Sequence, residues 1–160
     1  MDDELRGVKG WLLIFVVIIA LVSPGFAAIR TYAELYTGGA EYYGDTPIFA
    51  SIRNLSWATV AFAAIVGWFV AWRLLAVHNW MSVRIAIAGI WLSSVGTIAL
   101  QYFGATMMIG IPGDLLLSVA EPQDFIRPLI FGIVWTAYFL KSERVENTYR
   151  SPEEQAGVFE

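Results

Sequence analysis

Residues 11–29, WLLIFVVIIALVSPGFAAI, run for nineteen positions without a charge. A helix rises ~1.5 Å per residue, so about 20 apolar residues cross the ~30 Å hydrocarbon core of a bilayer. The stretch therefore reads as a membrane span, about 11–29, and not as the half-polar helix of a soluble domain. Downstream, LSWATVAFAAIVGWFVAW (55–72) is a second charge-free run, which reaches about residue 77 once Arg73 snorkels its guanidinium to the interface. A third run, 85–112, holds twenty-eight uncharged residues. It is longer than the hydrocarbon core, so the span at about 85–111 must tilt or break, and Gly104, Gly110, Pro112 and Gly113 mark a frayed far end. The fourth span, about 125–141, is the shortest and opens on Arg127-Pro128, a pair accepted in a first helical turn near the headgroups.

The composition agrees with this reading. Apolar residues make up 58% of the 160 positions and charged ones 15%, against about 25% charged in soluble domains. Zero cysteines remove disulfides, thiolate nucleophiles and cysteine-ligated metals. The single histidine, His78, leaves no bis-histidine haem site or His-centred triad within one chain. It reads as a polar residue of the inner loop. A net charge of -4 carried mostly in loops and tails gives no basic face for nucleic acid. No catalytic, cofactor-binding or metal-binding constellation emerges, so the expectation is a non-enzyme without a cofactor.

Four spans place both termini on one side, and the basic residues say which. Arg6, Lys9, Arg73, Arg84, Lys141, Arg144 and Arg150 fall on the side of the termini, against Arg30, Arg53 and Arg127 on the other, which predicts N-in, C-in. Trp11, Trp72, Trp80 and Tyr138 anchor the inner interface, and Tyr32, Tyr36, Tyr42, Tyr43 and Trp57 the outer one. The basic start and apolar run also have the outline of a secretory signal, but Asp2-Asp3-Glu4 spoils its positive n-region. The expected fold is all-α: a single integral membrane domain over 1–160, a four-helix transmembrane bundle with outer loops 30–54 and 112–124 and a cytoplasmic tail 142–160.

Gly10-Trp11-Leu12 at the opening of span one and the tail from Tyr138 and Phe139 through Lys141, Ser142, Arg144, Val145 and Thr148 to Tyr149 resemble a bacterial family known as domain of unknown function 2569. The tail residues Tyr138, Phe139, Ser142, Arg144 and Thr148 are the specific part of the likeness. The resemblance implies a small bacterial inner (plasma) membrane protein without an assigned activity.

Membrane helices associate through small residues and interhelical hydrogen bonds. At a spacing of four, span two presents Thr59, Ala63, Gly67 and Ala71, span three Gly89, Ser93, Thr97 and Gln101, and span four Pro128, Gly132 and Thr136. These seams predict close helix packing; alternatively Ser93, Ser94, Thr97 and Gln101 line a polar path. Gln101 is the most polar side chain in a span and is expected to pair with a neighbouring helix. Ser23-Pro24-Gly25 predicts a kink. The acidic outer loops read as solvated surface, the segment 113–124 as a short amphipathic turn lying on the membrane surface with Asp114 as its N-cap and Pro122 ending it, and residues 141–150 as an extension of the last helix into the cytoplasm. Membrane lipids, a membrane-protein partner or further copies of the chain are the expected partners. The leading expectation is an accessory or interaction subunit; the alternative is a homo-oligomeric channel, carrier or lipid-handling protein.

Overall fold

The computed structural model describes residues 7–39, 44 and 46–150. Arg6, Glu41, Tyr42, Tyr43, Asp45 and the acidic end 151–160 lie outside the described residues. Within them the chain is helical, with no strand.

Helix α1 opens at Trp11, directly after Gly10, whose φ of 58° suits glycine and strains any residue with a Cβ. It consists of Trp11–Val17, a π-turn Ile18–Val22, Ser23–Tyr32 and a second π-turn Ala33–Gly39. The first π-turn lies immediately before Pro24, where the missing N–H breaks the regular ladder. Ala20, four residues before Pro24, thereby loses the donor its carbonyl would have in an α-helix. The indole Nε1 of Trp68 supplies one from the neighbouring helix at 2.8 Å.

Helix α2, Pro47–Ala76, starts with proline in its first turn and with the Thr46 hydroxyl accepting from the Phe49 amide at 3.3 Å. A tight turn at 77–79 leads to α3, Trp80–Gly104, whose N-cap Asn79 accepts from the Ser82 amide at 3.0 Å. A π-turn, Ala105–Ile109, extends α3 and is closed by Gly110 in the left-handed region at φ 79°. Then come α4 (Gly113–Val119), α5 (Pro122–Lys141) and α6 (Glu143–Tyr149). Three helical stretches, Trp11–Thr37, Pro47–Ala76 and Trp80–Ile109, are long and apolar enough to cross a membrane. In space, α1 packs on α2, α2 on α3, and α3 on α5.

Several boundaries differ from the sequence expectation. Most of the expected loop 30–54 is helix, because α1 runs on to Gly39 and α2 already begins at Pro47. The Arg30–Glu34 pair, one helical turn apart, and the Thr46-Pro47 start signal explain why. Asp114 sits inside the first turn of α4, behind Pro112 at the cap, and Pro122 opens α5 instead of closing α4. The tail does not project. Ser142 is extended at φ -82°, ψ 117°, and after this bend α6 folds back under the helices and buries Val145 and Tyr149.

Candidate functional site

The helices are closed at the end that carries Gly7, the 77–79 turn and α6, hereafter the tail end. Leu12, Phe15 and Phe139 are buried there together with Leu74, Val83 and Ile90. Phe15 meets Phe139 edge-on with ring centroids 5.0 Å apart, and Trp135 at 4.7 Å, so α1 and α5 touch through aromatic faces.

The residues of the family-like tail form a clasp across this end. The Tyr149 hydroxyl donates to the Leu74 carbonyl at 2.7 Å, and so satisfies one of the orphan carbonyls at the C-terminus of α2. Burial pushes the Tyr149 phenol above its ordinary range, with Tyr138 adding to the effect, so it remains a donor. His78 stacks on the Tyr149 ring at 5.7 Å, which gives the lone histidine a packing role. Thr148 accepts from the Gly7 amide at 3.0 Å, and the Arg150 guanidinium lies 4.5 Å over Trp80. Tyr138 packs against the buried core, Phe139 is inside it, and Arg144 approaches Gly10. Ser142 supplies the bend.

The opposite, loop end is open. A cavity of about 850 Å³ lies between α1, α2, α3, α4 and α5, within the size range of small-molecule sites. Its boundary with the closed region cuts each of the three small-residue seams at one level. On α2, Gly67 and Ala71 are buried, Gly67 so close to the Ile19 carbonyl that a Cβ would collide with it, whereas Thr59 and Ala63 line the cavity. On α3, Gly89 meets Val70, whereas Ser93, Thr97 and Gln101 line the cavity. On α5, a Cβ at Gly132 would meet the Trp91 ring at 3.2 Å, and Thr136 accepts from the Trp91 indole at 3.1 Å, whereas Pro128 lines the cavity. Each seam is thus divided at one level into a packed half and a half that borders the cavity.

The cavity wall is less polar than its residue types suggest. Ser94 donates to the Ile90 carbonyl at 2.6 Å, Thr97 to the Ser94 carbonyl at 2.7 Å and Thr59 to the Leu55 carbonyl at 2.9 Å. Their hydroxyl protons are thus spent within their own helices, and most of the remaining wall is apolar, with Ile19, Val60, Ile98 and Phe131, while Ser23, Thr31, Ser56 and Tyr102 add hydroxyls. Gln101 departs from expectation. It lies near the loop end of α3, exposed on the cavity wall, and its amide has no hydrogen-bond partner among the described residues.

Charge is confined to the rim. Arg30 pairs with Glu34 at 2.6 Å on α1 and reaches Asp124 on α5 at 3.9 Å. Arg127 donates to the Gln123 side-chain carbonyl at 2.7 Å. All four charged residues line the cavity mouth, and their side chains in the ion pairs are 43–59% exposed. Exposed pairs of this kind contribute about 0–1 kcal/mol, so they open readily.

Glu34 and Asp124 read as solvated loop charges in the sequence, and only the fold brings them to one mouth. Trp68 and Trp91 were missed as interhelical ties. The available signal was their depth, since an indole N–H far from either interface must find an acceptor. Among the described residues no group of three His, Cys, Asp or Glu side chains could hold a metal ion. No curated protein and no solved structure matches the chain. Residues 5–150 match the family described as Protein of unknown function (DUF2569), and with that coverage the chain belongs to this family.

Proposed function

We propose that this is a four-span protein of the bacterial inner membrane, N-in and C-in, that holds a membrane lipid in the loop-end cavity without catalysing its conversion. The observation that carries the reading is the division of the site: an apolar cavity wall beneath a rim of Arg30, Glu34, Asp124 and Arg127. An amphiphile has the same division, with acyl chains that need apolar surface and a headgroup that needs charge. Gln101, on the wall near the loop end, offers an amide to the ester region between them. Among the described residues, six basic side chains toward the tail end, Lys9, Arg73, Arg84, Lys141, Arg144 and Arg150, against three toward the loop end favour an outward-facing mouth. Below the rim the lining residues carry no charge, which favours lipid over an ion path, because coupled transport uses ionisable groups at depth.

Lipid retention tests this. The protein is extracted from its native membrane in mild detergent and weighed by native mass spectrometry, beside an Ala63→Phe variant that fills the cavity and a milder Thr97→Leu variant. The expected result is a lipid adduct on the wild type that weakens in both variants. Equal adducts on all three, or none on the wild type, would contradict the proposal. Co-purification of a stoichiometric membrane protein with a lipid-free chain would instead support the accessory-subunit reading.

A further inference from the structure

The rim is balanced in a way that selects a headgroup. Two guanidiniums, Arg30 and Arg127, and two carboxylates, Glu34 and Asp124, face one mouth from α1 and α5. Arg30 sits 2.6 Å from Glu34 but 3.9 Å from Asp124, the second distance being beyond a charge-assisted hydrogen bond. Arg127 is held only by a neutral partner, Gln123, at 2.7 Å among the described residues. One guanidinium is therefore uncompensated by a near carboxylate, and one interhelical pair is loosely made.

We infer that the cavity's occupant is a zwitterionic glycerophospholipid of the phosphatidylethanolamine type, its phosphate between Arg30 and Arg127 and its ammonium on Asp124 and Glu34. This rests on the reading that the cavity holds a lipid. A phosphate between the two guanidiniums supplies the anion that Arg127 lacks and replaces the long Arg30–Asp124 contact with short N–H···O bonds. Asp124 is then released as an acceptor. An anionic headgroup alone would place its phosphate beside Asp124, which has no close cation, and a cationic one would leave Arg127 without an anion. A headgroup carrying both charges supplies an anion to Arg127 and a cation to Asp124 while the Arg30–Glu34 pair stays made, and the charge of Glu121, which also acts on Arg30, adds to the pull on the ammonium. A primary ammonium also donates the hydrogen bonds that carboxylates accept, which a quaternary ammonium lacks.

The test uses the whole chain in nanodiscs of equal phosphatidylethanolamine, phosphatidylcholine and phosphatidylglycerol, with the lipid retained on the released protein identified by native mass spectrometry. The wild type is expected to retain phosphatidylethanolamine over phosphatidylglycerol by about tenfold, the ratio given by ~1.4 kcal/mol. The double variant Glu34→Gln/Asp124→Asn is expected to reverse that preference toward phosphatidylglycerol. Arg127→Gln, at an exposed position, should lower retention of all three lipids while the protein stays folded by circular dichroism. Retention without headgroup preference, or a preference unchanged in the double variant, overturns this inference and leaves the cavity reading standing. A wild type that retains no lipid overturns the cavity reading itself.

Discussion

The two ends of this molecule are made from the same materials and arranged oppositely. In the closed part, Gly67 and Gly89 let neighbours approach so closely that a methyl group would collide, and Gly132 lies tight against the Trp91 ring. Toward the loop end the same three helices, at the next positions of the same seams, present Ala63, Ser93 and Pro128 to an open cavity. The difference lies in what crosses between helices. The tail end has large rings interlocked across α1 and α5 and a clasp from α6 beneath them. The loop end has a long ion pair between exposed side chains. In a bilayer, where apolar surface gains nothing by leaving lipid for another helix, close packing and hydrogen bonds decide which helices meet. Where both are supplied the helices close, and where they are withheld a cavity remains.

Substitutions should expose that contrast, the heaviest losses falling at the tail end. Phe139→Ala removes a buried ring from the α1–α5 contact and is expected to cost about 3–5 kcal/mol, read as a large drop in thermal unfolding temperature in detergent. Gly67→Val forces a Cβ onto the Ile19 carbonyl and should cost about 1–3 kcal/mol, measured as a shift in the denaturant midpoint. Tyr149→Phe leaves the Leu74 carbonyl without its donor and should cost about 1 kcal/mol. Faster hydrogen exchange at the end of α2 and in α6 would report it. Thr97→Val, on the cavity wall, should change stability by less than about 0.5 kcal/mol. A loss at Thr97 as large as that at Gly67 would erase the distinction between the two ends.

Much of the helical order was legible in the sequence, because charge-free runs as long as 11–29 and 85–112 have few alternatives. Their ends were harder to read. The 30–54 segment looks like a loop by its glycines and charges, yet the Arg30–Glu34 pair and the Thr46-Pro47 cap extend helices into it. Hydropathy finds where a helix is apolar and is silent about how far it continues into the headgroups. The seams on Gly67, Ser93, Thr97, Gln101 and Gly132 were also visible, but a spacing of four places residues on a face without saying whether a partner covers it. That depends on Trp91 reaching Thr136 and Phe15 reaching Phe139, contacts between residues far apart in the chain. The tail residues were read as a projecting handle, because a lone Ser142 gives no strong stop signal; the bend becomes clear only from what Val145 and Tyr149 bury beyond it.

The chain contains no cysteine, so a single introduced thiol reports its own surroundings. The most direct test compares Thr97→Cys, on the cavity wall, with Ala86→Cys, in the closed core, by their rates of reaction with a small methanethiosulfonate in detergent before and after phospholipid is added. Rapid labelling at Thr97→Cys that phospholipid suppresses, beside a protected Ala86→Cys, is the expected result. Equal rates at the two sites, or labelling of Thr97→Cys that ignores phospholipid, would contradict a lipid-holding cavity above a closed tail end.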